Sequence, residues 1–239
     1  MTAFALHDYD RVVFFTGAGV SAESGVPTYR GYGGIWAEYR PEDVASEAAF
    51  QRDPETVIAF HETRRRHVAS CHPNPAHRQI AAWQRRHGGV TVVTQNTDGL
   101  HARAGSEDVI ELHGSLWRMR CRQHGSMVDL SDGPYRQRQC PQCGQPMRPD
   151  ITWFGDPVDR DAFEAAGRAV QQAALFVAIG TSAMVWPAAG FIEHALHAGA
   201  TMVEVNTEAT EASRCFAHCL RAPASQAIPA AFPLPEGVD

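Results

Sequence analysis

Gly89-Val-Thr-Val-Val-Thr-Gln-Asn-Thr-Asp98 joins an apolar, β-branched run directly to a cluster of polar side chains. A valine- and threonine-rich run bounded by glycine reads as a parallel strand buried on both faces, here over 89–94. In open α/β sheets ligands bind beyond the carboxyl ends of such strands, so Gln95, Asn96 and Asp98 are expected at a small-molecule site. A second short strand, Asp108-Val-Ile-Glu-Leu112, carries His113 to the same edge, and Gly114 leaves room for a ligand to approach the backbone. His113 becomes a candidate general base. The plainer alternative is a strand-capping histidine beside an ordinary Asn-Asp-Gly turn.

Outward from this stretch, other strands end in the same way. Asp10-Arg-Val-Val-Phe-Phe-Thr16 runs into Gly17-Ala-Gly-Val-Ser-Ala22, a G-x-G-x-x-A pattern. Glycines at a strand end, followed by a helix start, can cradle a pyrophosphate, although a simple strand-to-helix turn uses the same residues. Leu175-Phe-Val-Ala-Ile179 ends in Gly180-Thr-Ser182, and Thr201-Met-Val-Glu-Val205 ends in Asn206-Thr-Glu208. Strands alternating with helices, such as 187–197 and the proline-started 73–83, make βαβ units and an α/β fold with a parallel sheet. His77 on that second helix reads as structural. Residues 41 to about 72 read as a helical stretch behind a mobile, glycine-rich loop, Gly31-Tyr-Gly-Gly-Ile-Trp36, and the chain from Pro229 as a fraying tail.

With 239 residues and 44% hydrophobic content, the chain can hold one large domain with a small insert. A net charge of -6 argues against nucleic acid as a partner. The arginines at 64–66 and 85–86 read as solvated helix faces. No run approaches the roughly 18 apolar residues of a membrane span, and acids stand where a signal peptide has bases, so a soluble, cytoplasmic, monomeric protein without membrane contact is expected.

Three of the six cysteines cluster. Cys121-Arg-Gln-His124 and Cys140-Pro-Gln-Cys143 form C-x2-H and C-x2-C pairs 15 residues apart, a spacing suited to a tetrahedral structural Zn2+ in a ribbon. The alternative is a decayed site with His124 as a loop residue.

Gly17 through Gly31, Thr94-Gln-Asn-Thr-Asp-Gly-Leu-His101 and Leu112-His-Gly114 resemble the signature blocks of the sirtuins, NAD-dependent protein-lysine deacylases. The resemblance continues through Trp153-Phe-Gly155, Gly180-Thr-Ser182 and Val205-Asn206. It implies a Rossmann-like NAD-binding domain from 1–31, 73–117 and 150–239, with a smaller domain built from a helical insert (32–72) and a zinc-ribbon insert (118–149). It assigns Gly17, Ala18, Gly19, Thr28, Tyr29 and Arg30 to the cofactor loop, and Gln95, Asn96 and Asp98 to the nicotinamide and ribose pocket. Gly180, Thr181, Ser182, Asn206 and Ala224 fall to the adenosine half, and His113 to the catalytic base, with Asn96 and Asp98 positioning ribose and water. Tyr29 departs from the family's usual phenylalanine. Ile151, Trp153, Phe154 and Gly155 would pair with an extended acyl-lysine peptide as an added strand.

Ala59-Phe-His-Glu-Thr-Arg64 resembles the segment in which class III sirtuins, which remove succinyl and other acidic acyl groups, carry a Tyr-x-x-Arg pair. Here Arg64 is kept and His61 replaces the tyrosine. One helix face would hold both, and a protonated His61 would favour acidic acyl chains as pH falls toward the usual histidine pKa of about 6.5. The competing reading leaves Arg64 in solvent and the enzyme a general deacetylase. Two other functions remain open on the sequence, an NAD glycohydrolase and a non-catalytic NAD or ADP-ribose sensor.

Overall fold

The structure, a computed structural model, describes residues 3–29 and 34–235. Its strands are β1 (Val12–Thr16), β2 (Val90–Thr94), β3 (Ile110–Glu111), β4 (Gly114–Cys121), β5 (Gly125–Val128), β6 (Arg148–Ile151), β7 (Leu175–Ile179), β8 (Thr201–Val205) and β9 (His218–Leu220). The helices are α1 (Ile35–Glu38), α2 (Pro41–Val44), α3 (Glu47–Arg52), α4 (Pro54–Ser70), α5 (Pro75–Arg86), α6 (Leu100–Arg103), α7 (Arg160–Gln171), α8 (Gly190–His197) and α9 (Ala224–Ala231).

Six strands pair in parallel in the order β3-β2-β1-β7-β8-β9, and β5-β4-β6 form a separate antiparallel sheet. From β1 the chain runs outward to β2 and β3, then returns to β7 on the other side of β1. Such a reversal opens a crevice at the carboxyl ends of the strands on either side of it. The buried runs foreseen at 89–94, 175–179 and 201–205 are the strands that flank this crevice.

Alternation along β1 sends Phe14 to one face of the sheet and Phe15 to the other. Phe14 packs with Ile80 and Trp83 of α5 and Ile228 of α9, whereas Phe15 packs with Val170 of α7 and Phe191 of α8. Two further apolar clusters lie around α4 and the antiparallel sheet, one with Val57, Leu116 and Trp153, the other with Ile58, Met119 and Met147.

Several elements differ from expectation. The stretch 41–72 is three helices, because Ser46 accepts a hydrogen bond from Ala49 N and Asp53 one from Thr56 N, and Pro54 occupies a first helical turn. Such caps start a new helix instead of extending the previous one. The segment after β1 is a 3-10 helix, Ala18–Ser24, and not an α-helix. The strand foreseen at 108–112 is only Ile110–Glu111, and the helix foreseen from 187 starts at Gly190.

The expected tail from Pro229 is instead ordered: α9 runs through Pro229 and Phe232 is fully buried. The Phe232 carbonyl accepts hydrogen bonds from Gln79 Nε2 at 2.7 Å and Trp83 Nε1 at 2.9 Å. These contacts and the buried ring outweigh the helical bond that proline lacks. Arg65 also contradicts the solvated-face reading, since its side chain is 0% exposed. It donates to Asp129 at 2.8 Å and lies 4.4 Å from the Tyr135 ring centre, tying α4 to the loop after β5. Among the described residues no helix is long and apolar enough to cross a membrane.

Candidate functional site

A cavity of about 870 Å³ opens at the crevice. Gly17, Ala18, Gly19, Thr28 and Tyr29 line it from the segment after β1, and Gln95 and Asn96 from the end of β2. Gly180, Thr181, Ser182 and Asn206 reach it from the ends of β7 and β8, with Ala224 at the start of α9. His61, Arg64, Ile151, Trp153, Phe154 and Gly155 contribute from the other subsidiary elements, and His113 completes the wall. Arg30 lies outside the described residues, as do residues 31–33 of the loop expected to be mobile. Asp98 is buried and does not line the cavity.

The glycines serve the chain's own packing. A side chain at Gly17 would meet the Gly180 carbonyl oxygen at 2.8 Å, and one at Gly19 the Gly180 Cα at 2.6 Å. Gly114, at φ +76°, faces the Asp150 carbonyl, so the room foreseen there for a ligand is filled by β6. Close approach of two loops at a strand-end crevice brings the polar ends of β1 and β7 onto one wall. Gln95 Nε2 and Asn206 Nδ2 then both donate to Thr181, at 3.1 Å each.

His113 Nδ1 lies 3.0 Å from the Gln95 carbonyl oxygen. A carbonyl only accepts, so Nδ1 carries the proton and Nε2 keeps its lone pair, without a partner among the described residues. Burial pushes the His113 pKa below its ordinary value of 6.5, and the bond to Gln95 opposes this only in part. The ring is thus a neutral acceptor at neutral pH, held in one tautomer.

Behind this wall lies a buried polar chain. Asn74 N donates to His77 Nδ1 at 3.3 Å, which leaves the proton on Nε2 to reach Ser21 Oγ at 3.3 Å. Ser21 Oγ in turn donates to Asp98 Oδ2 at 2.7 Å, while Asp98 Oδ1 accepts from Leu100 N at 2.8 Å. Burial raises the Asp98 pKa, opposed by these two hydrogen bonds. Asn96 Nδ2 donates to the Gly17 carbonyl oxygen at 3.0 Å. Asn96 is therefore on the cavity wall and Asp98 in the layer that supports it. His77, expected to be structural, is structural in this particular service. Ser21 was missed: its partners are 56 and 77 positions away, and nothing local to Ser21 signals them.

On the acyl side the structure corrects the expected pair. His61 is 1% exposed, and its Nε2 accepts a hydrogen bond from Trp153 Nε1 at 3.1 Å. Burial lowers its pKa well below 6.5, helped by the positive charges of Arg64 and Arg148. Protonating Nε2 would oppose two N–H donors, so His61 is a neutral packing residue and not a charge switch. Arg64 Nη2 instead donates to the Tyr29 hydroxyl at 2.6 Å. In the 151–155 segment, Thr152 N and Phe154 N already donate to the His113 and Ala45 carbonyls, which leaves the exposed Gly155 N–H unpartnered among the described residues.

The predicted metal ligands converge. The donor atoms of Cys121, His124, Cys140 and Cys143 all lie within 4.8 Å of one another. Cys121 and Cys143 sulfurs are 3.7 Å apart, and His124 Nδ1 is 3.7 and 3.4 Å from the Cys121 and Cys140 sulfurs. Tetrahedral Zn2+ with bonds of about 2.3 Å to sulfur and about 2.0 Å to nitrogen sets edges of about 3.8 and about 3.5 Å. The four residues fit a closed Cys3His zinc site, with His124 turned toward the sulfurs as that reading requires. A backbone N–H from Gln123 leads in pulling the Cys121 thiol down to about 6, toward the thiolate that metal requires.

Comparison with known proteins follows the same lines. The model of the Sir2 family matches residues 17–187. The chain belongs to the Sir2 family. It is 46% identical over 207 residues to NAD-dependent protein deacylase 1 of Caldanaerobacter subterraneus subsp. tengcongensis, covering 84% of each chain. A solved complex of a Sir2 homologue with NAD superposes with TM-score 0.87 at 37% identity, over 95% of this chain and 90% of that one. A Sir2 complex with a p53 peptide and NAD+ superposes with TM-score 0.80 at 28% identity, over 94% and 93%. In that neighbour of this Sir2-family chain, a peptide and NAD+ are bound together.

Proposed function

We propose that this chain is an NAD-dependent protein-lysine deacylase, acting on acetyl-lysine and on acyl-lysines that end in a carboxylate. The observation that carries the reading is His113: a neutral ring, its tautomer set by the Gln95 carbonyl, with an open Nε2 on a wall shared by the glycine loops and segment 151–155. Bound NAD would supply an electrophilic ribose carbon as nicotinamide leaves, and with one water consumed in cleaving the amide the acyl group would end as O-acyl-ADP-ribose beside free lysine.

The protein's own residues position and move protons. Gly17, Gly19 and Gly180 bring two backbone loops close together, and with Thr28, Ser182, Asn206 and Ala224 they would hold the dinucleotide. Asn96 on the cavity wall would position the ribose, with Ser21 and the buried Asp98 supporting it from behind. His113 Nε2 takes a proton from a ribose hydroxyl, which general-base geometry and a lone pair at neutral pH both favour. Arg30 belongs to the same cofactor loop by family resemblance. Segment 151–155 receives the substrate peptide, chiefly through its carbonyls and the Gly155 N–H. Cys121, His124, Cys140 and Cys143 would hold a structural zinc that staples the antiparallel sheet and leaves no open position for chemistry. In this reading 1–31, 73–117 and 150–239 make the NAD domain, and 32–72 with 118–149 the small one.

The test is nicotinamide release from NAD by purified protein, with and without acetyl- and succinyl-lysine peptides. Release that depends on the peptide, with matching free lysine, supports deacylation. Equal release without peptide would make the chain a glycohydrolase, and NAD binding without any release a sensor.

A further inference from the structure

Arg64 stands on the cavity wall without a carboxylate within ion-pair distance among the described residues. Other shielded arginines have one: Arg65 pairs with Asp129 at 2.8 Å, Arg118 with Glu111 at 2.6 Å and Arg148 with Glu47 at 2.8 Å. The buried Asp98 carboxylate acts on Arg64 only through space, without an ion pair, so this half-buried guanidinium at the cavity keeps N–H groups for an external anion.

Its orientation is set by aromatic residues from two elements. The guanidinium carbon lies 5.0 Å from the Tyr29 ring centre and 5.8 Å from that of Phe60, and Nη2 donates to the Tyr29 hydroxyl at 2.6 Å. Tyr29 in turn packs on Trp36, ring centres 5.5 Å apart. The phenol oxygen therefore acts as acceptor toward Arg64, and its own O–H has no acceptor among the described residues. A phenol O–H and the remaining guanidinium N–H groups stand side by side, a donor pair that matches the two oxygens of one carboxylate.

We infer that Tyr29, carried by the segment after β1, is the hydroxyl partner of Arg64 and that the two together select acyl chains ending in a carboxylate. Position 61 offers no hydroxyl here: its Nε2 accepts from Trp153 Nε1, and its proton sits on the buried Nδ1. The two selecting residues are 35 positions apart, on the cofactor segment and on α4, so the pair exists only in the folded chain. The inference rests on the deacylase reading and specifies which residues set its acyl preference.

The test compares kcat/KM for one peptide carrying acetyl-lysine, succinyl-lysine, or the same four-carbon chain ending in a neutral carboxamide, in wild type, Tyr29→Phe, Arg64→Met and the double variant. The ratio of succinyl to carboxamide activity should fall about 10- to 100-fold in Tyr29→Phe, the loss expected for one hydrogen bond to a charged group. It should fall at least as far in Arg64→Met, and adding Tyr29→Phe to that variant should change it little. Because the ratio is taken on one sample, it does not depend on the folded fraction. An unchanged ratio in Tyr29→Phe overturns the inference. So does a KM for NAD that rises equally with all three peptides at constant ratio, since the pair would then serve the cofactor's phosphates. Wild type that releases nicotinamide with none of the peptides sinks the deacylase reading itself, and the inference with it.

Discussion

Gly19 and Gly180 meet backbone to backbone: Gly19 N donates to the Gly180 carbonyl oxygen at 2.8 Å, and no Cβ fits between them. The contact joins the ends of β1 and β7 across the crevice, so it governs where both loops can sit against a dinucleotide. Gly19→Ala should destabilise the fold by about 1–3 kcal/mol through overpacking and raise KM for NAD more than KM for the acyl peptide. Urea unfolding and steady-state kinetics measure the two effects. A variant with wild-type KM for NAD would separate this contact from cofactor binding.

His113→Ala should abolish deacylation while leaving NAD affinity within a few-fold of wild type, as read by isothermal titration. The pH profile adds a signed expectation. His113 acts unprotonated and burial lowers its pKa, so the acid limb of kcat/KM should have its midpoint below 6.5. A midpoint above 6.5 contradicts the assignment.

Zinc should copurify at one equivalent per chain, and Cys140→Ser should lower both stability and activity, because the four ligands join β4 to the turn near β6. Elemental analysis decides it: folded, active protein without metal rules the site out.

The buried histidines make stability sensitive to acid. Burial pushes His77 down to about 2 and His101 to about 4, so between about pH 5.5 and 4.5 these two side chains bind protons in the unfolded chain that they do not bind in the folded one, and the buried His61 acts in the same direction. Stability should fall with falling pH there, by at most roughly 3 kcal/mol per pH unit from these two groups. Asp98 and Glu111, whose carboxyl pKa values burial raises, oppose part of that loss. Urea midpoints across the range, compared with a His77→Asn variant, should show a shallower slope in the variant.

Asp129→Ala should cost about 3 to 5 kcal/mol, since it leaves Arg65 charged and buried without its partner. A loss under about 1 kcal/mol in urea unfolding would mean that water reaches Arg65 when Asp129 is removed.

By itself the sequence determined five of the six parallel strands, the glycine-bearing strand ends and the four side chains that converge as candidate metal ligands. Each of these is written in neighbouring residues: β-branched runs that suit a sheet buried on both faces, and Cys and His spacings that a tetrahedral ion demands. The place of His113 on the cavity wall was legible as the polar residue that ends a short strand. Tertiary structure alone decided the rest. Arg65 in a charged triplet looked solvated until Asp129, 64 positions away, met it, and Pro229 looked like the start of a tail until Phe232 found the pocket beside Phe14 and Trp83. Spacing paired Arg64 with His61 on one helix face, whereas the fold gave the imidazole to Trp153 and the guanidinium to Tyr29. Hydrogen-bond partners are assigned by distance in space after the chain has closed, and at separations of 35 to 92 residues no local periodicity carries that information.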